Sequence, residues 1–240
     1  MAARKATAHH TTGALLLRRV EYGESDLVLT LLTRRLGKLS ALARGARRSS
    51  KRFGGALEPM HSLLIELDER PGAELFTLTA AQLERPRAGI LRSLPALEAA
   101  GKALSWVRRA APPRTPEEGA YLILEGLLDR LTDAQAAGEA GRALAAAGLA
   151  LLSTFGWGID FERCVRCGRQ ATPRQSASVE PARGGLVCRS CGGARVRLTG
   201  AARERMARAA AGESSALLVE DGPQALDLVE AALGAHAGIE

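Results

Sequence analysis

The sequence predicts an α+β protein with a small N-terminal β-barrel, followed by a mostly α-helical domain that contains an inserted four-cysteine module. Three observations predict this class. Short β-type runs separated by turn residues fill positions 13–84, apolar residues with helical spacing follow, and four cysteines lie in two pairs within 162–193. With 240 residues, 46% hydrophobic and 25% charged, the chain is long enough to bury real cores.

The first 84 residues are predicted to form a leader and a barrel. Residues 1–12 are predicted to be a flexible leader. The five runs with β character that follow are 14–20, 27–33, 38–44, 63–67 and 75–78. The segment 45–56 is rich in glycine, serine and basic residues and is predicted to be a loop. Five short strands in so few residues are typical of an oligonucleotide-binding (OB) barrel, so 13–84 is predicted to be a nucleic-acid-binding OB domain.

Residues 85–240 are predicted to form the helical domain. Apolar residues recur every three to four positions from 95 to 111, and Thr115-Pro116-Glu117-Glu118 is a favourable helix start. A further helix is predicted over 139–155, and two more over 198–212 and 224–233. Residues 216–219 are compatible with either a strand or a loop.

The four cysteines have the spacing of a metal site. Cys164 and Cys167 are separated by two residues, as are Cys188 and Cys191, and a glycine follows each pair. Two such pairs can supply four thiolates to one tetrahedral zinc ion. Because no ligand position would be left for water, one structural Zn²⁺ is predicted rather than a catalytic one. A disulfide pair, four unrelated thiols and a thioredoxin-like redox motif are the less favoured alternatives.

Charge is concentrated in segments. The chain carries a net charge of +7, and residues 34–52 hold eight Lys or Arg and no acid. Such a surplus favours a polyanionic partner, either nucleic acid or an anionic membrane. The candidate DNA-binding residues are Lys38, Arg44, Arg47, Arg48, Lys51 and Arg52. The alternative is a solvated run of charge, and the arginines near the cysteines are equally compatible with a DNA path or with plain surface.

Few aromatic residues are available for base stacking. They make up 3% of the chain, and the predicted barrel contains only Tyr22, Phe53 and Phe76. Binding is therefore expected to depend mainly on phosphates, with little sequence preference and with duplex as well as single strands as ligands. The longest apolar stretch, 143–155, is too short to cross a bilayer, so a cytoplasmic, nucleoid-associated protein is expected.

The motifs of common enzymes are missing from the sequence. It has no phosphate-cradling Gly-x-x-x-x-Gly-Lys-Ser/Thr loop and no Gly-x-Ser-x-Gly elbow, and its four histidines are scattered. A non-enzymatic binding protein is therefore predicted. The main alternative is a sequence-specific zinc-ribbon DNA-binding regulator, although no helix-turn-helix is evident. A nuclease or deaminase would need an open metal position, which an all-cysteine site does not offer.

Two segments resemble the RecO family of recombination mediators. Residues 19–30 (Arg-Val-Glu-Tyr-Gly-Glu-Ser-Asp-Leu-Val-Leu-Thr) are similar to that family's first hairpin, and residues 37–48 resemble its basic strand and loop. Leu57-Glu58-Pro59-Met60, Leu78-Thr79 and Phe155-Gly156 continue the resemblance. It covers the chain from about residue 15 to the C-terminal helices.

The resemblance implies a role in DNA repair and recombination after DNA damage, within the RecFOR pathway. It implies binding of single- and double-stranded DNA, annealing of complementary strands, and partnership with RecR. It also implies recognition of the C-terminal tail of single-stranded-DNA-binding protein (SSB), and hence loading of RecA onto SSB-coated strands. The same six basic residues are the DNA contacts that it implies, whereas the pocket for the SSB tail is not assigned to residues. Neither the leader nor the acidic C-terminus is explained by it.

Overall fold

The computed structural model describes residues 7–48, 50–53, 55–134 and 136–238, without the side chains of Ser50, Lys51 and Ala137. The chain divides into two compact units. The first contains residues 7–88 and 110–125, and the second contains 89–109 and 126–238, within the described ranges. Among the described residues, no helix combines the length and the apolar character that a membrane crossing requires.

The first unit is built on a closed five-stranded barrel. Its strands are β1 (Ala8–Tyr22), β2 (Asp26–Thr33), β3 (Gly37–Ala43), β4 (Ser62–Glu69) and β5 (Phe76–Arg85). They pair in the closed order β1-β2-β3-β5-β4, with β3 and β5 parallel and the other pairs antiparallel. This is the predicted OB architecture.

The barrel interior is filled by alternate residues of its strands. In β3, Leu39, Ala41 and Ala43 are buried while the residues between them are partly exposed. The same period-2 pattern supplies Leu29 and Leu31 from β2, because successive side chains of a strand point to opposite faces. Apolar side chains therefore meet inside the barrel and polar ones face outward.

The predicted leader 1–12 is wrong from residue 8 onward. Strand β1 begins at Ala8, and residues 8–15 pair antiparallel with β4 over Ser62–Glu69. This pairing closes the barrel. The sequence gives little sign of it because three of the first five residues of β1, Ala8, His9 and Thr11, are exposed. His9 Nδ1, for example, lies 2.6 Å from Asp68 Oδ1. Residues 1–6 lie outside the described residues.

The predicted loop 45–56 contains a one-turn helix. Helix α1 (Ser50–Phe53) follows the turns after β3, and the Phe53 ring is 2% exposed within the barrel core. Ala56 and Leu57 are buried in the same core. The basic segment is therefore anchored at its C-terminal end by apolar burial, which its glycine, serine and arginine content does not reveal.

One segment of the predicted helical domain belongs to the same unit as the barrel. Residues 110–125 belong to the first unit, where Arg114 Cζ lies 4.8 Å from the centroid of the Phe76 ring. The Arg114 backbone N–H donates to the carbonyl oxygen of Lys38 (2.7 Å). Tyr121 is 3% exposed, and burial raises the pKa of its hydroxyl to about 12. Helical periodicity predicts the helix but not which core it packs against.

The second unit contains the remaining helical residues. The longer helices of the chain are α2 (Leu94–Ala110), α3 (Glu118–Asp133), α4 (Ala137–Thr154), α5 (Gly200–Ala210) and α6 (Gly222–Ala237). Residues 118–125 of α3 belong to the first unit and its remaining residues to the second. Helix α3 starts at Glu118, so the residue at its N-terminal cap position is Glu117 and not Thr115, whose hydroxyl donates to the carbonyl of Pro113. Residues 216–219 form turns and the start of a short 3₁₀ segment rather than a strand.

A small sheet lies in the cysteine module, where no strand is predicted from the sequence. Its strands are β6 (Asp160–Cys164), β7 (Ala177–Glu180), β8 (Gly185–Val187) and β9 (Val196–Leu198), in the order β6-β8-β7-β9. Strands β6 and β8 are parallel, and the other pairs are antiparallel. The sheet extends beyond the predicted module limits of 162 and 193 at both ends.

Candidate nucleic-acid interface and metal centre

Most of the predicted DNA-binding residues lie around the C-terminal end of β3. Lys38 is within β3, Arg44 directly follows it, Arg47 and Arg48 are in the next turns, and Arg52 is in α1. Arg44, Arg47, Arg48 and Arg52 are exposed, while Lys38 is half-buried. The sixth predicted residue, Lys51, has its side chain outside the described part of the structure.

The turns that carry these residues are hydrogen-bonded to the β1–β2 hairpin. The Gly45 backbone N–H donates to Asp26 Oδ1 (2.7 Å), and the Arg47 N–H donates to the carbonyl of Ser25 (3.0 Å). The Arg52 guanidinium donates to the Arg44 carbonyl, and its Cζ lies 5.1 Å from the centroid of the neighbouring Phe53 ring. The basic side chains are therefore displayed from a fixed backbone.

Acidic residues of the hairpin compensate part of this charge. Arg47 lies 3.2 Å from Glu21, and Arg48 lies 3.5 Å from Glu24. The sequence of 34–52 contains no acid and so does not indicate these ion pairs, because both glutamates lie earlier in the chain. All four side chains are substantially exposed, and such pairs contribute only about 0–1 kcal/mol. A phosphate oxygen can therefore replace the glutamate at small cost.

The outward face of strands β1, β2 and β3 adds residues that sequence reasoning missed. Backbone register places Arg18 opposite Thr30, and Val20 opposite Val28. Arg18 and Val20 are both exposed. A shift of register between Leu16 and Arg18 interrupts the alternation of buried residues, so a strict period of two does not assign these side chains to a face.

One aromatic ring of the barrel is available to a ligand. Tyr22, at the end of β1, is 61% exposed, whereas Phe53 and Phe76 are buried. Tyr22 pairs with Asp26, the residue whose carboxylate holds the Gly45 amide. The exposed ring therefore lies on the same hairpin that holds the basic turns.

All four predicted metal ligands lie together. The sulfur atoms of Cys164, Cys167, Cys188 and Cys191 are within 4.8 Å of one another, and Cys167 Sγ is 3.7 Å from Cys188 Sγ. Four thiolates at about 2.3 Å from a tetrahedral ion are about 3.8 Å apart. A disulfide needs a separation of about 2.05 Å, and all four thiols are free. The cluster could hold a metal ion.

The small sheet explains why the two cysteine pairs meet. Cys164 ends β6 and Cys188 follows β8, and these strands are parallel, so both pairs lie at the same edge of the sheet. Gly168 (φ +71°) and Gly192 (φ +98°) complete the turns in left-handed conformations that favour glycine. The Cys188 backbone N–H donates to Cys164 Sγ (3.4 Å), which lowers the pKa of that thiol to about 6. The geometry thus favours the thiolate, the form that binds metal, at Cys164, whereas hydrogen bonding with the Cys188 and Cys167 side chains raises the pKa of Cys191 to about 12.

Comparison with known proteins supports a single family for both units. Residues 8–87 match the family model described as Recombination protein O N terminal, and residues 92–239 match Recombination protein O C terminal. The chain is 36% identical over 232 residues to the DNA repair protein RecO of Anaeromyxobacter sp. (strain Fw109-5), covering 93% of this chain and 90% of that protein.

Two further relatives carry the same name. The DNA repair protein RecO of Myxococcus xanthus (strain DK1622) is 36% identical, covering 75% of this chain and 71% of the relative. That of Geobacter metallireducens is 34% identical, covering 75% and 72%. The two matched halves, the closed OB barrel and the overall identity agree: this chain belongs to the RecO family of DNA repair proteins.

Proposed function

We propose that this chain is a non-enzymatic recombination mediator that binds single- and double-stranded DNA and anneals complementary strands. The observation that carries the proposal is the cluster of basic side chains displayed beside the exposed ring of Tyr22 at one end of an OB barrel. OB folds bind oligonucleotides on this part of the barrel, across strands β2 and β3 and the adjoining loops.

Annealing follows from charge neutralisation. Arg44, Arg48 and Arg52 hold the phosphates of one strand, with Lys38 and Arg47 beside them, and this lowers the repulsion against a second strand. The exposed pairs of Arg47 with Glu21 and of Arg48 with Glu24 open as phosphates take the place of the carboxylates. No bond is made or broken and no nucleotide is consumed.

The four cysteines hold one structural zinc ion in this proposal. A bound Zn²⁺ would join the turn after β6 to the turn after β8, and it supplies folding energy rather than catalysis. The four thiolates complete a tetrahedral set, so the site has no position for a reactive water.

The proposed partners follow from family membership. They are RecR, the C-terminal tail of SSB, and functionally RecA, which is loaded onto SSB-coated single strands. The protein would act on the nucleoid in the cytoplasm. No residue of this chain is assigned to these protein contacts.

The central experiment measures annealing of two complementary oligonucleotides that are coated with the cognate SSB, without ATP. The test variant is Arg44→Ala/Arg48→Ala/Arg52→Ala. The control is Arg70→Ala/Arg92→Ala/Arg163→Ala, which removes the same charge from exposed arginines elsewhere. We expect the wild type and the control to accelerate annealing and the test variant to lose most of that acceleration.

The salt dependence of binding provides an independent measure. Each phosphate contact on single strands contributes about −0.7 to the slope of log affinity against log salt concentration. Removing three contacts should therefore flatten the slope by about 2 in the test variant and leave it unchanged in the control. Equal slopes in the two variants would place the DNA contacts elsewhere, and wild-type protein that does not accelerate annealing would refute the mediator function.

A further inference from the structure

The cysteine module contains a polar cavity that the proposed function does not use. Its volume is about 520 Å³, within the range of pockets that hold small ligands. Residues 169–172 and 175–178 form part of its wall, and the rest comes from Cys164 at the end of β6, residues 186–189 and Arg197 in β9. Its lining includes three arginines, two glutamines and three hydroxyl-bearing residues, among them Arg169, Arg189, Arg197, Gln170, Gln175 and Ser178.

The arginines of this cavity face no acid. None of the described residues that line it is Asp or Glu. Two acids of the module are engaged elsewhere: Glu180 pairs with Arg166 (3.4 Å) and Arg183 (3.1 Å), and Asp160 Oδ1 accepts backbone N–H groups. Arg169 donates to the neutral hydroxyl of Ser190 (3.3 Å). The positive charge of the cavity is therefore left for a ligand.

A metal ion in the cysteine cluster does not make the net charge of the cavity negative. Four thiolates around one divalent ion carry a net charge of −2, and Cys164 and Cys188 form part of the cavity wall. Arg169, Arg189 and Arg197 together carry +3, and each is exposed at its solvent side. The cavity mouth thus remains positive and rich in N–H donors.

These side chains suit phosphates on a nucleic-acid strand. Arginine presents a planar fork of donors that matches phosphate oxygens, and the amides and hydroxyls of the wall can bond to phosphate, sugar or base edges. An acidic peptide is less well matched, because peptide sites depend on aromatic or large aliphatic anchors. This wall contains no aromatic side chain, and its large aliphatic residues, Leu186 and Val187, are buried.

We propose that this cavity is a second DNA-binding site, which holds the phosphates of a single strand independently of the barrel. One chain would then hold two strands, one on each unit. A barrel that anneals DNA on its own does not require this site, so the two proposals can fail separately.

The test counts bound strands per chain by native mass spectrometry. The probe is an unstructured thymidine oligonucleotide of about eight nucleotides, within the usual site size of an OB fold. The cavity variant is Arg169→Ala/Arg189→Ala/Arg197→Ala. Its control is Arg163→Ala/Arg183→Ala/Arg195→Ala, which removes equal charge from the same module outside the cavity wall. Zinc content shows whether each variant keeps the module folded.

We expect two oligonucleotides on the wild type and on the control, and one on the cavity variant. The barrel variant Arg44→Ala/Arg48→Ala/Arg52→Ala should bind one oligonucleotide. Combining it with the three substitutions of the cavity variant should weaken the affinity for that oligonucleotide on the order of tenfold or more. Gln175→Glu, which places a negative charge on an exposed wall residue without removing a contact of the fold, should also leave one.

Two oligonucleotides on both the cavity variant and Gln175→Glu would overturn the proposal. The proposal would also be overturned if the wild type bound only one strand and the barrel variant bound none. In that case the proposed function would remain intact. A polyglutamate peptide is the remaining probe. If it binds the wild type and not the cavity variant while both bind the same number of DNA strands, the cavity is an acidic-peptide site instead.

Discussion

At the scale of single residues, Gly37 is the glycine of the barrel strands where an added side chain would meet the closest neighbouring atom. Its φ is +70°, and a Cβ atom there would lie 1.9 Å from the carbonyl oxygen of Thr115. Thr115 belongs to the segment 110–125 that packs with the barrel. A side chain at position 37 would therefore both strain the β2–β3 turn and displace that segment.

Gly37→Ala should lower the free energy of unfolding by more than the about 1–2 kcal/mol expected from left-handed strain alone. Gly23→Ala is the control, because Gly23 also has a positive φ (+58°) but nothing lies within 4 Å of its added Cβ. Denaturant unfolding measures both. Equal losses in the two variants would show that the contact with Thr115 is unimportant.

His61 makes stability depend on pH. Burial lowers its pKa below the ordinary value, with a further contribution from the charge of Arg87, whose backbone N–H donates to His61 Nδ1 (3.0 Å). Above about pH 6.5 the ring is neutral in both folded and unfolded chains. As the pH falls below that value the unfolded chain takes up the proton first, so this residue destabilises the fold in acid.

The replacement His61→Asn keeps an acceptor near the Arg87 amide and removes the titration. Between about pH 7.5 and about pH 5.5 the wild type should lose more free energy of unfolding than this variant does. Urea titrations at the two pH values give the difference. A parallel loss in both proteins would mean that His61 titrates normally.

Tyr22 should distinguish single strands from duplex. An exposed ring can stack on an unpaired base, which contributes about 1–3 kcal/mol per base, whereas duplex bases are already stacked. Tyr22→Ala should weaken binding of a thymidine oligonucleotide about fivefold or more and leave duplex affinity nearly unchanged, while Tyr22→Phe should behave as the wild type. Fluorescence anisotropy measures these affinities, and an equal loss for both DNA forms would exclude stacking.

At the scale of elements, the limits of a strand were predicted best from the sequence where one face of the strand is buried. Strands β2 and β3 begin and end within one residue of their predicted limits, because each is a short run of β character bounded by turn residues. The first five residues of β1 carry no such signal, since most are exposed. The sheet β6-β8-β7-β9 also escaped prediction, because strands of three to five residues are too short for a recognisable period.

The candidate site was predictable to different degrees. Spacing alone identified the four cysteines, because two knuckles of fixed length need no knowledge of the fold. The basic segment was evident, but the pairing of Arg47 with Glu21 was not, since it depends on how the hairpin packs. Arg18 and the cavity of the cysteine module depend on register and on tertiary packing, which a sequence does not show.

The small sheet should depend on its metal. Its short strands bury little apolar surface by themselves, and the turns after β6 and β8 converge on the cysteine cluster. Removing zinc with a chelator should speed amide hydrogen exchange across residues 160–198 and leave exchange in β4 and β5 unchanged. Restoring zinc should reverse the effect. Unchanged exchange in the sheet would show that it is stable without metal.

At the scale of the whole molecule, the net charge of +7 is distributed over distinct surfaces. In the first unit the basic turns lie beside an exposed aromatic ring, and in the second unit arginines line a cavity in the cysteine module. Glu21 and Glu24 partly neutralise the basic turns, whereas no Asp or Glu lines the cavity, so total charge is a poor guide to where a polyanion binds. What matters is which cations lack an acid within reach, and this is a property of the folded chain.

The discontinuous first unit has a consequence for protein synthesis. Its last segment, 110–125, is translated after 89–109, which belong to the other unit. At about 5–20 residues per second, roughly 2–7 s separate residue 88 from residue 125. During that interval the nascent barrel lacks Arg114 and Tyr121, which later cover Phe76 and Gly13. A gene fragment that stops at residue 87, the end of the N-terminal family match, should yield a less soluble product than one that continues through residue 125.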